Sequence, residues 1–189
     1  MNPLEFQLSQ LVKLMNQTKL DYALMGGLAV SIYGEPRFTL DMDVNVILKQ
    51  DSIDDFLKEA KRYGFYPIPK NIKRFVKKTL VIPMRFSKND IYGRIDFIIA
   101  YNDLEYSGIK RASLKKVYSC KVRVIRPEDL IIHKITSSRP KDIDDIKGIL
   151  IRQKGKLNIG YIKDWLKKIE KINPQAGLLK LFENLYARI

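Results

Sequence analysis

Met25-Gly26-Gly27 and Asp41-Met42-Asp43-Val44, separated by thirteen residues, form the stretch on which the reading of this chain turns. Tyr22 to Met25 reads as a short apolar strand that runs into the glycine pair, and Leu28 to Tyr33 reads as a short helix. Met42, Val44, Val46 and Leu48 are apolar at alternate positions, the period of a strand. Side chains two apart on a strand share a face. Asp41 and Asp43 are therefore expected to project together while Met42 and Val44 enter the core. Two carboxylates that close repel each other. A hard divalent cation, Mg2+ or Mn2+, removes the conflict and keeps positions open for phosphate oxygens and water.

A third acid completes the set. Asp96 stands alone within the apolar run Arg94-Ile95-Asp96-Phe97-Ile98, which reads as a strong strand. A lone carboxylate in such a strand needs a partner. If its strand lies beside that of Asp41 and Asp43, three carboxylates converge as expected for two-metal phosphoryl transfer. Gly26-Gly27 fits the same chemistry, because glycine lets a phosphate approach the backbone and a helix start offers free N–H groups. Each piece also has a plainer reading: a tight turn for the glycines, a solvated edge for Asp-x-Asp, an ion pair with Arg94 or Arg85 for Asp96. The ordered set is what discriminates.

That set resembles the nucleotidyltransferase superfamily that includes DNA polymerase β. The longer string Gly26-Gly27-Leu28-Ala29-Val30, Tyr33-Gly34-Glu35-Pro36-Arg37-Phe38-Thr39 and Asp41-Met42-Asp43 resembles a narrower group, the abortive-infection-type (AbiEii-like) nucleotidyltransferases, some of which act as toxins in toxin–antitoxin pairs. Downstream, Pro127 to Lys134 followed by Arg139-Pro140-Lys141-Asp142-Ile143-Asp144-Asp145-Ile146 resembles that group's later motif. The likeness covers about residues 20 to 150. It implies catalytic, metal-holding carboxylates at Asp41, Asp43 and Asp96. The expected nucleotide-binding residues are Gly26, Gly27, Arg37, Thr39 and Lys134, with Asp142 and Asp145 ordering the site. Lys134 reads equally as a snorkelling helix lysine, Asp142 as a helix-start acid, and Arg37 as an ordinary loop arginine. His133 reads as packing or surface rather than a base, and Trp165 as core.

Outward from this centre, the chain opens with an amphipathic helix marked by Leu4, Leu8, Leu11, Val12 and Met15. Asp51-Ser52 can cap a helix carrying Phe56, Leu57, Ala60 and Tyr63, which Gly64 ends. Residues 65–86, broken by three prolines, read as a β meander, and Val117 to Ile125 as a further strand. From Pro127 the pattern is helical to the end. The expected fold class is α/β (α+β): a small mixed β-sheet flanked by helices, with a C-terminal helical region. The expected division is a catalytic domain at 1–126 and a helical region at 127–189 packed on it.

Composition narrows the partners. The 189 residues carry 35 Lys+Arg against 21 Asp+Glu, a formal net charge of +14. Such a charge attracts polyanions and disfavours polycationic small molecules. Two basic clusters with interleaved aromatics suit RNA. One holds Lys70, Lys73, Arg74, Phe75, Lys77 and Lys78, the other Lys110, Arg111, Lys115, Lys116, Tyr118, Lys121, Arg123 and Arg126. One cysteine and one histidine exclude an intrachain disulfide and a multi-histidine zinc site. No apolar run approaches the ~18 residues of a membrane span, so a cytoplasmic protein without a membrane partner is expected. The leading expectation is an enzyme that moves a nucleoside monophosphate from a nucleoside triphosphate to RNA or tRNA, toxin-like, with a possible antitoxin partner. Two alternatives stand beside it: a small-molecule, antibiotic-type nucleotidyltransferase, and a non-catalytic nucleic-acid-binding module.

Overall fold

Asn2 caps the first helix, α1 (Pro3–Thr18), by accepting the Leu4 N–H, and Lys19 in the left-handed region ends it. The computed structural model describes every residue except Met1, Arg37, Phe38, Leu40 and Ser138. The chain continues through β1 (Tyr22–Met25), α2 (Gly26–Tyr33), β2 (Asp41–Val46), α3 (Ile53–Arg62), β3 (Phe65–Pro67) and α4 (Ile72–Thr79). Then follow β4 (Val81–Lys88), β5 (Ile91–Ile99), α5 (Asp103–Arg111), β6 (Ser113–Val117) and β7 (Cys120–Val124). Four helices close the chain: α6 (Pro127–Ser137), α7 (Pro140–Arg152), α8 (Ile159–Ile172) and α9 (Leu178–Tyr186).

The chain folds as two compact units, Met1–Leu28 with Phe38–Ile125, and Ala29–Arg37 with Arg126–Ile189. The first holds a seven-stranded sheet in the order β3-β4-β5-β2-β1-β7-β6 among the described residues. The sheet is mixed: β2 pairs parallel with β5 and β1 parallel with β7, whereas the other neighbours are antiparallel. Alternation sorts the two faces of its centre. Met42, Val44, Ile95 and Phe97 are fully buried. The Phe97 ring packs edge-on to Phe56 (centroids 5.1 Å) and Phe65 (6.2 Å). On the other face Asp41 and Arg94 are exposed, and Asp43 and Asp96 are half-buried.

In the second unit, residues after α2 lie directly against α7. A Cβ on Gly34 would come within 3.0 Å of the Ile149 backbone nitrogen, and one on Gly148 within 3.2 Å of the Glu35 nitrogen. Glycine at both places lets the backbones meet. Gln153 Nε2 donates to the Tyr33 carbonyl at 2.9 Å and holds the same join.

Three expectations need correction. Residues 65–86 are not a continuous meander: α4 interrupts them. Asn71 caps that helix by accepting the Arg74 N–H, and Leu80 in the left-handed region ends it. The helix does carry an apolar stripe, Ile72, Phe75 and Val76, but it is only eight residues long and only Val76 is buried, so Pro67, Pro69 and Pro83 around it read as breaks between strands. The strand expected over Val117 to Ile125 is one arm of a hairpin, β6–β7, turning at Tyr118 with φ 52°. The register sets Lys116 opposite Lys121 across the two arms and Leu114 opposite Arg123, whose guanidinium donates to the Tyr22 and Ile109 carbonyls. Ser52 precedes α3 without a side-chain capping bond; its hydroxyl donates to Asp51 instead.

Because Phe97 joins strand and helix packing at the centre of the first unit, Phe97→Ala is expected to destabilise the protein by about 3–5 kcal/mol. Urea unfolding followed by circular dichroism measures this.

Candidate active site

The parallel register of β2 and β5 sets Asp43 beside Asp96 and Asp41 beside Arg94. Registered residues of neighbouring strands share a face, so three carboxylates and a guanidinium stand together on the open side of the sheet. On the opposite flank of β2, the antiparallel register sets Met25 beside Asp43. The chain then turns at Gly26 with φ +60°, and a Cβ placed there would come within 2.6 Å of Asp43 Cγ. Glycine is required twice over at this position, by the left-handed backbone and by the carboxylate it must pass. Gly27 follows in the first turn of α2. Thus Gly26, Asp41, Asp43 and Asp96, picked out separately in the sequence, are neighbours.

Arg94 dominates the electrostatics of this cluster. Its Nε donates to Asp96 Oδ1 and its Nη2 to Asp96 Oδ2, both at 3.3 Å. The hydrogen bond and charge of Asp96, with smaller contributions from Asp41 and Asp43, hold the guanidinium pKa above its ordinary value. All three acids therefore act on one cation. Sequence reasoning weighs Arg94 only as the plain explanation of Asp96. Its i−2 spacing from that acid is the signal that it shares the face. Asn45 extends the same face two residues beyond Asp43 and carries no motif to single it out; its buried Oδ1 has no hydrogen-bond partner among the described residues. Thr39 donates from its hydroxyl to the Asp41 carbonyl at 3.2 Å, steadying the entry to β2. Arg37 lies outside the described residues.

The chemistry of the donor set fits a hard divalent ion, since carboxylate oxygens are what Mg2+ and Mn2+ prefer. Among the described residues, however, no three Asp, Glu, His or Cys side chains stand close enough to hold one as they are placed. Both oxygens of Asp96 accept from Arg94.

Lys134, Asp142 and Asp145 belong to the second unit and meet one another there. Lys134 Nζ lies 2.7 Å from Asp142 Oδ1 and 2.7 Å from Asp145 Oδ2, with its side chain only 8% exposed. It is a buried ion-pair lysine, not a snorkelling one. Ser137 donates its hydroxyl to Asp142, and Arg139 Nε donates to Asp142 at 2.6 Å. Burial alone would raise the Asp142 pKa, but hydrogen bonds from Lys134, Ser137 and Arg139 overcome it and hold the carboxyl down at about 2. This network ties α6 to the start of α7. Asp142 sits in the first turn of α7, as its helix-start reading expected, and does this further work besides. His133 is held neutral, its pKa pushed down to about 4 by burial. Trp165 is half-buried, edge-on to Tyr161 with Lys168 over its ring at 4.8 Å.

Comparison with known proteins bears on the family and the fold. The model of a family described as "Nucleotidyl transferase of unknown function (DUF2204)" matches residues 5–181. No curated protein matches the chain. Among solved structures, the fold is similar to an antigenic nucleotidyltransferase-like protein from Paracoccidioides brasiliensis, with TM-score 0.54 and 16% identity over 94% of this chain and 91% of that one. It is also similar to JHP933 from Helicobacter pylori, with TM-score 0.55 and 18% identity over 94% of this chain and 77% of that one. The lincosamide antibiotic adenylyltransferase LnuA, lincomycin-bound, gives TM-score 0.51 and 16% identity over 76% of this chain and 94% of that one. Identities this low show the fold.

Two outcomes are expected of the residues described. Asp142 has a folded-state pKa near 2 against an ordinary 3.8. Its contribution, about 2 kcal/mol, is therefore complete above pH 4 and lost as pH falls toward 2. Urea unfolding across that range should show parent and Asp142→Asn stabilities converging at the acid end. Gly26→Ala is expected to displace the Asp43 carboxylate and to lower thermal stability, read by a melting curve.

Proposed function

The chain belongs to this nucleotidyl transferase family, and from that premise we propose that it moves a nucleoside monophosphate from a nucleoside triphosphate onto a hydroxyl of RNA, tRNA foremost. The observation that carries the proposal is the pairing of Asp43 with Asp96 across parallel strands while Gly26 turns against the Asp43 carboxylate. Gly26 lets the chain pass the Asp43 carboxylate into the start of α2, where the helix N-terminus would face the triphosphate. Asp41 and Asp43 would hold a divalent ion, with Asp96 its third oxygen donor; the ion when bound neutralises phosphate charge and favours the attacking alkoxide.

The transfer itself is an in-line displacement. The acceptor oxygen forms a bond to the α-phosphorus, the bond from that phosphorus to the bridging oxygen breaks, and pyrophosphate leaves. The hydroxyl proton passes to the carboxylate on the acceptor side, which we assign to Asp96. Lys134 enters this scheme as the buried centre of its own helix pair; a phosphate contact by it would require release from Asp142 and Asp145.

The acceptor assignment rests on charge and resemblance. A net charge of +14 suits a polyanion and opposes an aminoglycoside-like polycation. The likeness of residues 26–43 and 127–146 to the AbiEii-like group supports a toxin role restrained by a separate antitoxin protein.

Incubation with each α-labelled nucleoside triphosphate, Mg2+ and total RNA tests the reading. Label in a discrete RNA band is expected from the parent protein, with at least a hundredfold loss (about 3 kcal/mol of transition-state stabilisation) in Asp41→Asn and Asp43→Asn. Full activity in either variant would refute the site, and label on a small molecule instead of RNA would refute the acceptor.

A further inference from the structure

The sheet face that carries the acids continues beyond them, onto β5, β4 and β3, and its composition changes there. Arg85 on β4 stands directly opposite Arg94 on β5, and Tyr66 on β3 directly opposite Arg85. With Asp41 beside Arg94, one row across four strands reads Tyr66, Arg85, Arg94, Asp41. Tyr92, two residues before Arg94 on β5, shares the face and is 73% exposed. Arg85 lies over the Tyr66 ring at 4.9 Å. Tyr66, Arg85, Tyr92 and Arg94 all lie outside the two basic clusters legible in the sequence.

Like charges directly opposite on paired strands destabilise a sheet. Two exposed arginines in that relation, of which Arg94 is the one bonded to an acid among the described residues, form a place where an anion relieves repulsion. The flanking tyrosines add flat apolar faces on which unpaired bases can stack. Position fixes the role. The Gly26 turn adjoins the β1 side of the acid pair, whereas the arginine row extends from its β5 side. A triphosphate at the glycine turn leaves the arginine row facing the opposite, acceptor side.

We propose that Tyr66, Arg85, Tyr92 and Arg94 form the acceptor subsite, which binds single-stranded RNA by its phosphodiesters and bases. This rests on the nucleotidyl-transfer reading and deepens it. The subsite also gives the Arg94–Asp96 pair a use. A phosphodiester that draws Arg94 away frees both oxygens of Asp96 beside the incoming hydroxyl, so that the acceptor prepares the carboxylate that receives its own proton. Arg94 is thus an acceptor-binding and positioning residue.

The experiment uses the full chain and two probes, a fluorescent single-stranded RNA of about eight nucleotides and each nucleoside triphosphate with Mg2+. Affinities are measured over a salt series for the parent and for Arg85→Gln/Arg94→Gln, Tyr92→Ala, and a charge-matched control on the β6–β7 hairpin, Lys116→Gln/Lys121→Gln. The arginine double variant is expected to lose about tenfold in RNA affinity. Its salt slope should fall by about 1.4, or about 0.7 for each phosphate that an arginine no longer neutralises. Nucleotide affinity should stay within about twofold in Tyr92→Ala, whose side chain lies outside the acid cluster. Tyr92→Ala should lose about fivefold with an unchanged slope, because stacking is not ionic. Arg85→Lys/Arg94→Lys, which keeps both charges, should recover most of the affinity and so separates binding from misfolding. Equal losses in the arginine and hairpin variants would overturn the proposal in favour of bulk charge. Lost nucleotide affinity with RNA binding intact would overturn it too, while leaving nucleotidyl transfer standing. A parent that binds RNA in the expected pattern but no nucleotide would uphold the subsite and defeat the transfer reading.

Discussion

Two carboxylates, Asp43 and Asp96, are held side by side by the hydrogen-bonded register of β2 and β5. Their backbone positions cannot part without breaking the pairing of two central strands, and the surrounding site is built around that placement. Arg94 enters from the same strand to bind Asp96, and the chain turns at a glycine where any larger residue would strike the Asp43 carboxylate. Acids placed together on one exposed face beside an arginine are the arrangement expected of an enzyme whose substrate arrives with metal ions and negative charge.

The second cluster of charge is built to the opposite rule. Around Asp142, two acids meet two cations and a hydroxyl within α6 and the start of α7, and the Lys134 ammonium is buried with both carboxylates. Charges so enclosed must be matched, because removing one partner leaves the others desolvated and unpaired. The open face of the sheet instead sets Asp41, Asp43 and Asp96 beside Arg94 at exposed or half-buried positions, where solvent and ligand can reach them. Enclosed charge holds helices together here, and accessible charge receives ligands.

Much of this was legible beforehand because β-strands write their faces into sequence at period two. Asp41, Asp43 and Asp96 could be assigned to one face, and their apolar neighbours to the other, from alternation alone. What alternation cannot encode is which strand neighbours which, so the row from Tyr66 to Asp41 appeared only once the register was known. Arg85 and Tyr66 are separated from Asp41 and Asp43 by long stretches of chain and carry no motif. The helix α4 escaped notice for a different reason: its stripe of Ile72, Phe75 and Val76 is confined to eight residues flanked by prolines, so the segment reads as short strands and turns. Resemblance gave Lys134 a phosphate-binding role and Asp142 and Asp145 an ordering one, but not their pairing with each other or its burial, since a lysine within an apolar helix looks alike whether its tip reaches water or an acid.

The strict alternation at the sheet centre has an evolutionary consequence. Met42, Val44, Ile95 and Phe97 maintain the architecture, while their immediate neighbours Asp41, Asp43, Arg94 and Asp96 occupy the outward face and bury little. Selection can act on either set with small effect on the other. Descendants of such a chain can change acceptor, or lose catalysis and persist as binders, through substitutions at a few outward positions while the scaffold is inherited intact. Divergence of activity within one stable framework is therefore a property of the pleat itself.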